Sequence, residues 1–192
     1  MKNKRTLSIA TLLACALLSA SCSNNKPEDS KNVAEESNEA KFKNNDAEKD
    51  AQFLVDAATI SMEEIRLGQI AQEKGVMQEV KDLGKMMETD HTKALDETKA
   101  LAGKKSVSLP VALPDKVESD VNKFNDKSVH DFDKDYCDKM VDGHKDAISK
   151  FEKAATDAAD EDIRNFASQM LPTLRKHLEH AEACQKACEK NK

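Results

Sequence analysis

From about Asp46 onward the apolar residues recur at intervals of three and four, and little interrupts them, since the 192-residue chain has 5 Gly and 4 Pro. That spacing is the helical one, and with so few turn formers it restricts the chain to a few long amphipathic helices. One Tyr, no Trp and no sustained alternation of Val, Ile or Thr leave no pattern for a sheet. A chain of this length, 39% hydrophobic and 34% charged, holds one ordinary core.

The first apolar stripe runs through Phe53, Ala57, Ile60, Glu64, Leu67 and Ala71, and Gly75 ends its helix. Val80, Gly84, Met87, His91, Ala94 and Leu101 form the second, which ends near Gly103. "GKKSVSLPVALPD" carries two prolines and is the long connection. A third helix, from Asp115, carries Val121, Phe132, Tyr136, Met140, His144 and Phe151. The fourth starts near Asp160 and carries Ile163, Phe166, Leu174, His177, Ala181 and Cys184, with Pro172 expected to kink it and free the carbonyl of Ser168. Two short turns and one long link predict an all-α, ferritin-like antiparallel four-helix bundle over residues 46–190. The charge-rich stretches "DAADEDIRN" and "EKNK" read as solvated surface.

The N-terminus carries an address. "MKNKRTLSIATLLACALLSASC" has a basic start, an apolar run from Leu7 to Leu18 too short to span a bilayer, and small residues before Cys22. "LSASC" resembles the lipobox of bacterial lipoproteins, with Ser19 where that family usually has Leu. Residues 1–21 are read as a lipoprotein signal peptide and Cys22 as the lipidated residue; Cys15 has the better local lipobox, but cutting there would expose "ALLSA". Residues 22–45, polar and acidic, are expected to be a disordered tether. The expected place is the cell envelope, on the outer membrane facing the periplasm, with two or more acyl chains on Cys22 for stable anchoring. Loss of Lys2, Lys4 and Arg5 moves the formal charge from −6 to −9, which disfavours nucleic acid as a partner.

"METDHTKA" (87–94) returns as "MVDGHKDA" (140–147), each placing an imidazole on the buried face. If the turns near residues 75 and 158 lie at one end of the bundle, His91, His144 and His177 sit about 24, 21 and 27 Å from it, in one layer, with Glu64 at about 16 Å. Such buried groups need partners. One reading is a hydrogen-bonded network in which Glu64, Asp90, Asp142 and Tyr136 hold the imidazoles. The other is a transition metal held by Glu64, His91, His144 and His177, with Met62, Met87, Met140 and Met170 as thioethers suited to Cu(I).

"FLVDAATISMEEIRLGQIAQEKG", "VKDLGKMMETDHTKAL", "FDKDYCDKMVDGHKDAISKFEKAA" and "FASQMLPTLRKHLEHAE" resemble, in order and spacing, the DUF4142 family of exported bacterial proteins, often labelled outer membrane proteins. The likeness covers about residues 46–185 and implies a ferritin-like bundle with no established activity. Arg66 stands where the family commonly has Glu. A ferritin-like di-iron site needs two E-x-x-H motifs. Glu64 and Glu88-x-x-His91 supply one half, but Leu174 and Val141 stand where the other carboxylates belong.

In an oxidising compartment Cys137 and Cys184 are about two residues out of hairpin register and within disulfide reach. The stripe His177, His180, Cys184 and Cys188 is an alternative soft metal site. No nucleotide loop, H-E-x-x-H or Ser-His-Asp order appears. Two functions stay open: a non-enzymatic, membrane-tethered envelope domain with no assured cofactor, or a periplasmic protein binding copper, zinc or iron.

Overall fold

The computed structural model describes residues 28–190, and these form six helices and no strand. The helices are α1 Ser30–Lys41, α2 Asn45–Lys74, α3 Gln78–Lys105, α4 Asp115–Asn125, α5 Val129–Asp157 and α6 Glu161–Lys190. The Asn44 side chain caps α2 by accepting from the Asp46 amide, Asp46 and Glu48 complement the dipole of its first turn, and Gly75 ends it. α3 stops at Ser106, whose left-handed φ of 59° closes the last turn. α6 continues through Pro172 as one helix. Among the described residues no helix is long and apolar enough to cross a membrane.

α2 and α3 form one hairpin and α5 and α6 another, and the hairpins meet through α2 with α5 and α3 with α6. At the α2–α3 crossing the backbones touch. A Cβ on Gly68 would lie 2.5 Å from the Gly84 carbonyl oxygen and one on Gly84 would lie 2.7 Å from that of Gly68, so neither position admits a side chain.

Two buried aspartates lock the hairpins together. Asp133, at the start of α5, accepts from the amides of Val76 and Met77 in the α2–α3 turn. Asp50, at the start of α2, accepts from the amides of Ala159 and Asp160 in the α5–α6 turn. Each carboxylate thus satisfies a turn of the opposite hairpin, whose amides have no helical partner. The two turns therefore lie at opposite ends of the molecule, which corrects the expectation that they share one end.

Two further expectations change. The third helix is broken, because α4 ends at Asn125 and α5 begins at Val129. Ser128 caps α5 by accepting from the Asp131 amide, and Lys74 reaches the carbonyls of Asn125 and Lys127 to hold the break. The break lets α4 lie against α2 and bury Val121 in the core of Leu67 and Phe132. The stretch expected as tether contains a helix as well. α1 packs along α2, with Lys31 paired to Asp56 and Gln52 donating to Glu35. Asn38 exchanges two hydrogen bonds with the Ser108 backbone, and Ser30 accepts from the amides of Val111 and Ala112. The link between α3 and α4 thus folds over α1. Residues 1–21 and Cys22 lie outside the described residues.

The core divides in two. One apolar cluster, with Leu67, Met87, Phe132, Tyr136 and Met140, lies toward the α2–α3 turn. The other, with Leu54, Phe151, Ile163, Phe166 and Leu174, lies toward the α5–α6 turn. His91, His144 and His177, each 1–3% exposed, fall at the junction.

Candidate metal centre

Each histidine replaces an apolar residue near the middle of a long helix. His91 follows Met87 by one turn on α3, His144 follows Met140 on α5, and His177 follows Leu174 on α6. Because all three are close to mid-helix, they share a layer whichever end is taken as reference. Their ring centroids are 5.3 to 5.8 Å apart. One nitrogen from each ring lies within 4.8 Å of one nitrogen from each of the others.

The proton positions follow from the partners. His144 Nδ1 is 2.8 Å from the Met140 carbonyl oxygen, which can only accept, so Nδ1 carries the hydrogen and Nε2 is a bare lone pair. His177 Nε2 donates to the Asp90 carboxylate at 2.9 Å, which leaves Nδ1 bare. These two bare nitrogens face each other at 3.3 Å. His91 has no hydrogen-bond partner on either nitrogen. A proton between the rings would relieve the clash of lone pairs, but burial opposes it. Desolvation holds His91 well below the usual imidazole range, moves His144 down to about 4, and lowers His177 against the pull of Asp90. At neutral pH three uncharged imidazoles converge with acceptor atoms inward.

Hydrogen bonds to Met140 and Asp90 hold His144 and His177 but leave both nitrogens of His91 unpartnered, and a cation between the three rings would meet the inward lone pairs. Nitrogens at about 2.05 Å from a tetrahedral zinc lie about 3.3 Å from one another. The His144–His177 pair already has that separation, and a His91 nitrogen lies within 4.8 Å of both. Met140 and Asp90 are the outer partners that fix tautomer and ring direction.

Glu64 stays outside the group of three. Its carboxyl is buried beside Gly143, where a Cβ would stand 3.4 Å from Oε1, and its Oε2 has no partner. Burial, reinforced by Glu63, pushes Glu64 up to about 8. The Tyr136 hydroxyl is also unpartnered and is raised well above its usual range by burial and by the nearby Glu64. Asp142 is exposed and holds no imidazole, so of the expected network only Asp90 takes part. Glu88 turns outward to accept from Gln69 and Gln72, which removes the remaining half of a di-iron motif. Met87 and Met140 are fully buried as part of the apolar cluster.

Cys137 and Cys184 are bonded to each other, with Cα atoms 6.0 Å apart, and Cys188 is a buried thiol. His180 is exposed, so the expected stripe of His177, His180, Cys184 and Cys188 does not converge as a site. Sequence reasoning missed the Met140 carbonyl, the turn-clamping Asp50 and Asp133, and the nearness of Cys188 to Cys137. For the aspartates the only local signal was a charge at a position facing the core.

The fold and the histidine layer define an all-helical protein with a buried, converging imidazole cluster. The family model for "Domain of unknown function (DUF4142)" matches residues 34–184, and the chain belongs to that family. No curated protein and no solved structure matches it.

Proposed function

We propose that this protein is a lipid-anchored, periplasm-facing binding protein of the outer membrane that holds one transition-metal ion between His91, His144 and His177 and catalyses no reaction. The observation that carries the metal is His91, a fully buried imidazole with neither nitrogen partnered, aimed at two other bare nitrogens. Leaving such groups unsatisfied costs about 1 to 3 kcal/mol each, and an ion removes that cost. Imidazole suits zinc, copper, iron and nickel, and the nitrogen spacing fits a tetrahedral ion with one open position. The missing carboxylates at Val141 and Leu174 support binding rather than di-iron chemistry. The scaffold is a ferritin-like four-helix bundle of α2, α3, α5 and α6, with α1 and α4 laid on its surface. That reading is supported by the two hairpins and their pairwise contacts.

The anchor rests on the signal-like N-terminus and Cys22. α1 starts eight residues after Cys22, so the bundle would stand at most about 28 Å from the lipid. Cys22→Ala is expected to abolish labelling by a fatty-acid analogue; labelling that instead depends on Cys15 would refute the assignment.

The metal is tested on tag-free protein stripped by a chelator. Zinc at a hundredfold excess over Kd stabilises the native state by about 2.7 kcal/mol, which raises Tm by about 5 to 10 °C at this chain length. His91→Ala removes a ring with no hydrogen bond in the protein, so it is expected to fold and to lose the zinc response. A Tm indifferent to zinc, copper, iron and nickel, or a response that survives His91→Ala, would overturn the reading.

A further inference from the structure

Cys137 on α5 and Cys184 and Cys188 on α6 are all buried, and their three sulfurs lie within 4.8 Å of one another. Cys188 Sγ is 3.8 Å from Cys137 Sγ. This cluster is separate from the histidines, since Cys137 precedes His144 by seven residues and Cys184 follows His177 by seven, about 10 Å along the paired helices. A disulfide needs two cysteines. The third, Cys188, is a buried thiol packed in the apolar cluster against that pair, and a metal ion bound by thiolates at about 2.3 Å sets sulfurs about 3.8 Å apart.

We propose that Cys137, Cys184 and Cys188 form a second metal site, specific for Cu(I), which the Cys137–Cys184 disulfide switches off. Thiolate is the soft ligand that selects Cu(I), and three sulfurs complete a trigonal shell for it. Opening the site requires a dithiol reductant. Its thiolate attacks the Cys184 sulfur, breaks the Cys137–Cys184 bond and forms a mixed disulfide. The second thiol of the reductant then displaces Cys184. Two electrons pass to the protein, Cys137 and Cys184 each gain a proton, and the reductant leaves as its own disulfide. Cu(I) binding afterwards displaces protons from the cysteine thiols to solvent.

The surroundings suit both steps. Cys184, though buried, is one of the residues lining a surface cleft with Glu79, Asp82, Met86 and His180, the side from which reductant and ion would approach the cluster. The field at Cys188 is negative: burial first, then Asp133, Asp138 and Glu79, raise its thiol above the usual range. A cation at the sulfurs is favoured by the same carboxylates that disfavour a bare thiolate.

The test compares the full protein in two states, oxidised as isolated and reduced by dithiothreitol with the reagent then removed anaerobically. Both are titrated with Cu(I) against a chromophoric Cu(I) chelator. The reduced protein is expected to withhold one more Cu(I) per chain than the oxidised one and to show thiolate-to-copper charge-transfer absorption. Cys188→Ser, which leaves the disulfide pair intact, is expected to weaken that extra binding by more than about 100-fold in the reduced state. His91→Ala should leave it in place, so failure of the histidine site and failure of this one are read separately. Equal copper uptake in both redox states, retention of the extra equivalent by Cys188→Ser, or loss of the helical circular dichroism on reduction would each defeat the proposal.

Discussion

Between pH 6.5 and 8 the protein is expected to lose about 2 kcal/mol of stability through Glu64 alone, and Glu64→Gln is expected to abolish that loss. The carboxyl is fully buried with Oε2 unpartnered, and its folded pKa is raised from 4.5 to about 8. Above pH 4.5 the unfolded chain releases this proton while the native state keeps it. The native state then binds more protons, so stability falls as pH rises, until the native carboxyl itself ionises near 8. Over the whole window from 4.5 to 8 the effect is about 5 kcal/mol. Gln has the shape of the protonated acid and does not titrate, so its urea midpoint should hardly move from this cause. Parallel slopes for the two proteins between pH 6.5 and 8 would mean that Glu64 is ionised in the native state.

The second expected result concerns acid. His144 has a native pKa lowered from 6.5 to about 4, with burial as the first cause and His177 as the second. Below pH 6.5 the unfolded chain takes up a proton that the native state refuses, so stability is lost as pH falls from 6.5 toward 4. His144→Leu places an apolar residue on the stripe. At pH 4.5 in metal-free buffer the variant is expected to gain about 2 to 3 kcal/mol relative to its own comparison with the wild type at pH 7. The Met140 carbonyl, 2.8 Å from the ring, keeps the backbone amide of residue 144 as its helical donor. Urea unfolding at the two pH values measures the difference. An unchanged gap between variant and wild type would show that the imidazole is protonated in the folded protein. The two slopes oppose each other between pH 4.5 and 6.5, so the metal-free protein is expected to be most stable within that range as far as these two groups decide it.

These results bear on why a helical chain places imidazole where Leu would serve. The histidine layer divides the core into two apolar clusters and costs the metal-free protein stability on its acid side. The proposed metal site would account for a cost of that kind, since an ion meeting the three imidazoles would stabilise the native state alone.

Much of this was legible in the residues themselves. The all-helical class and the ends of α2 and α6 followed from a 3.6-residue apolar period and from Gly75 and Asp160, which are local signals. The coincidence of three histidines in one layer also followed, because each lies near mid-helix and the layer is insensitive to which end carries which turn. The break at Asp126 was available locally, in the S-x-x-D pattern from Ser128 to Asp131, but the apolar stripe continued across it and masked it.

Other features depended on partners distant in the chain. α1 is a polar acidic segment with Ala34 and Asn38 as its buried residues, and it is held by Ser108, Val111 and Ala112, 70 to 82 residues away. Composition alone reads it as tether. Asp50 and Asp133 are charges on core-facing positions whose partners appear only when the opposite hairpin presents unpaired amides to them across 56 to 110 residues. Ring tautomers were set in the same way: the Met140 carbonyl and the Asp90 carboxylate decide which nitrogens of His144 and His177 carry hydrogen. By itself the sequence determined the apolar and histidine stripes that the long helices α2, α3, α5 and α6 bury, because periodicity is a property of a single helix. Only the tertiary structure decided which lone pairs converge, that Cys188 lies against the Cys137–Cys184 pair and which end each turn occupies, because these contacts are closed by atoms from different helices.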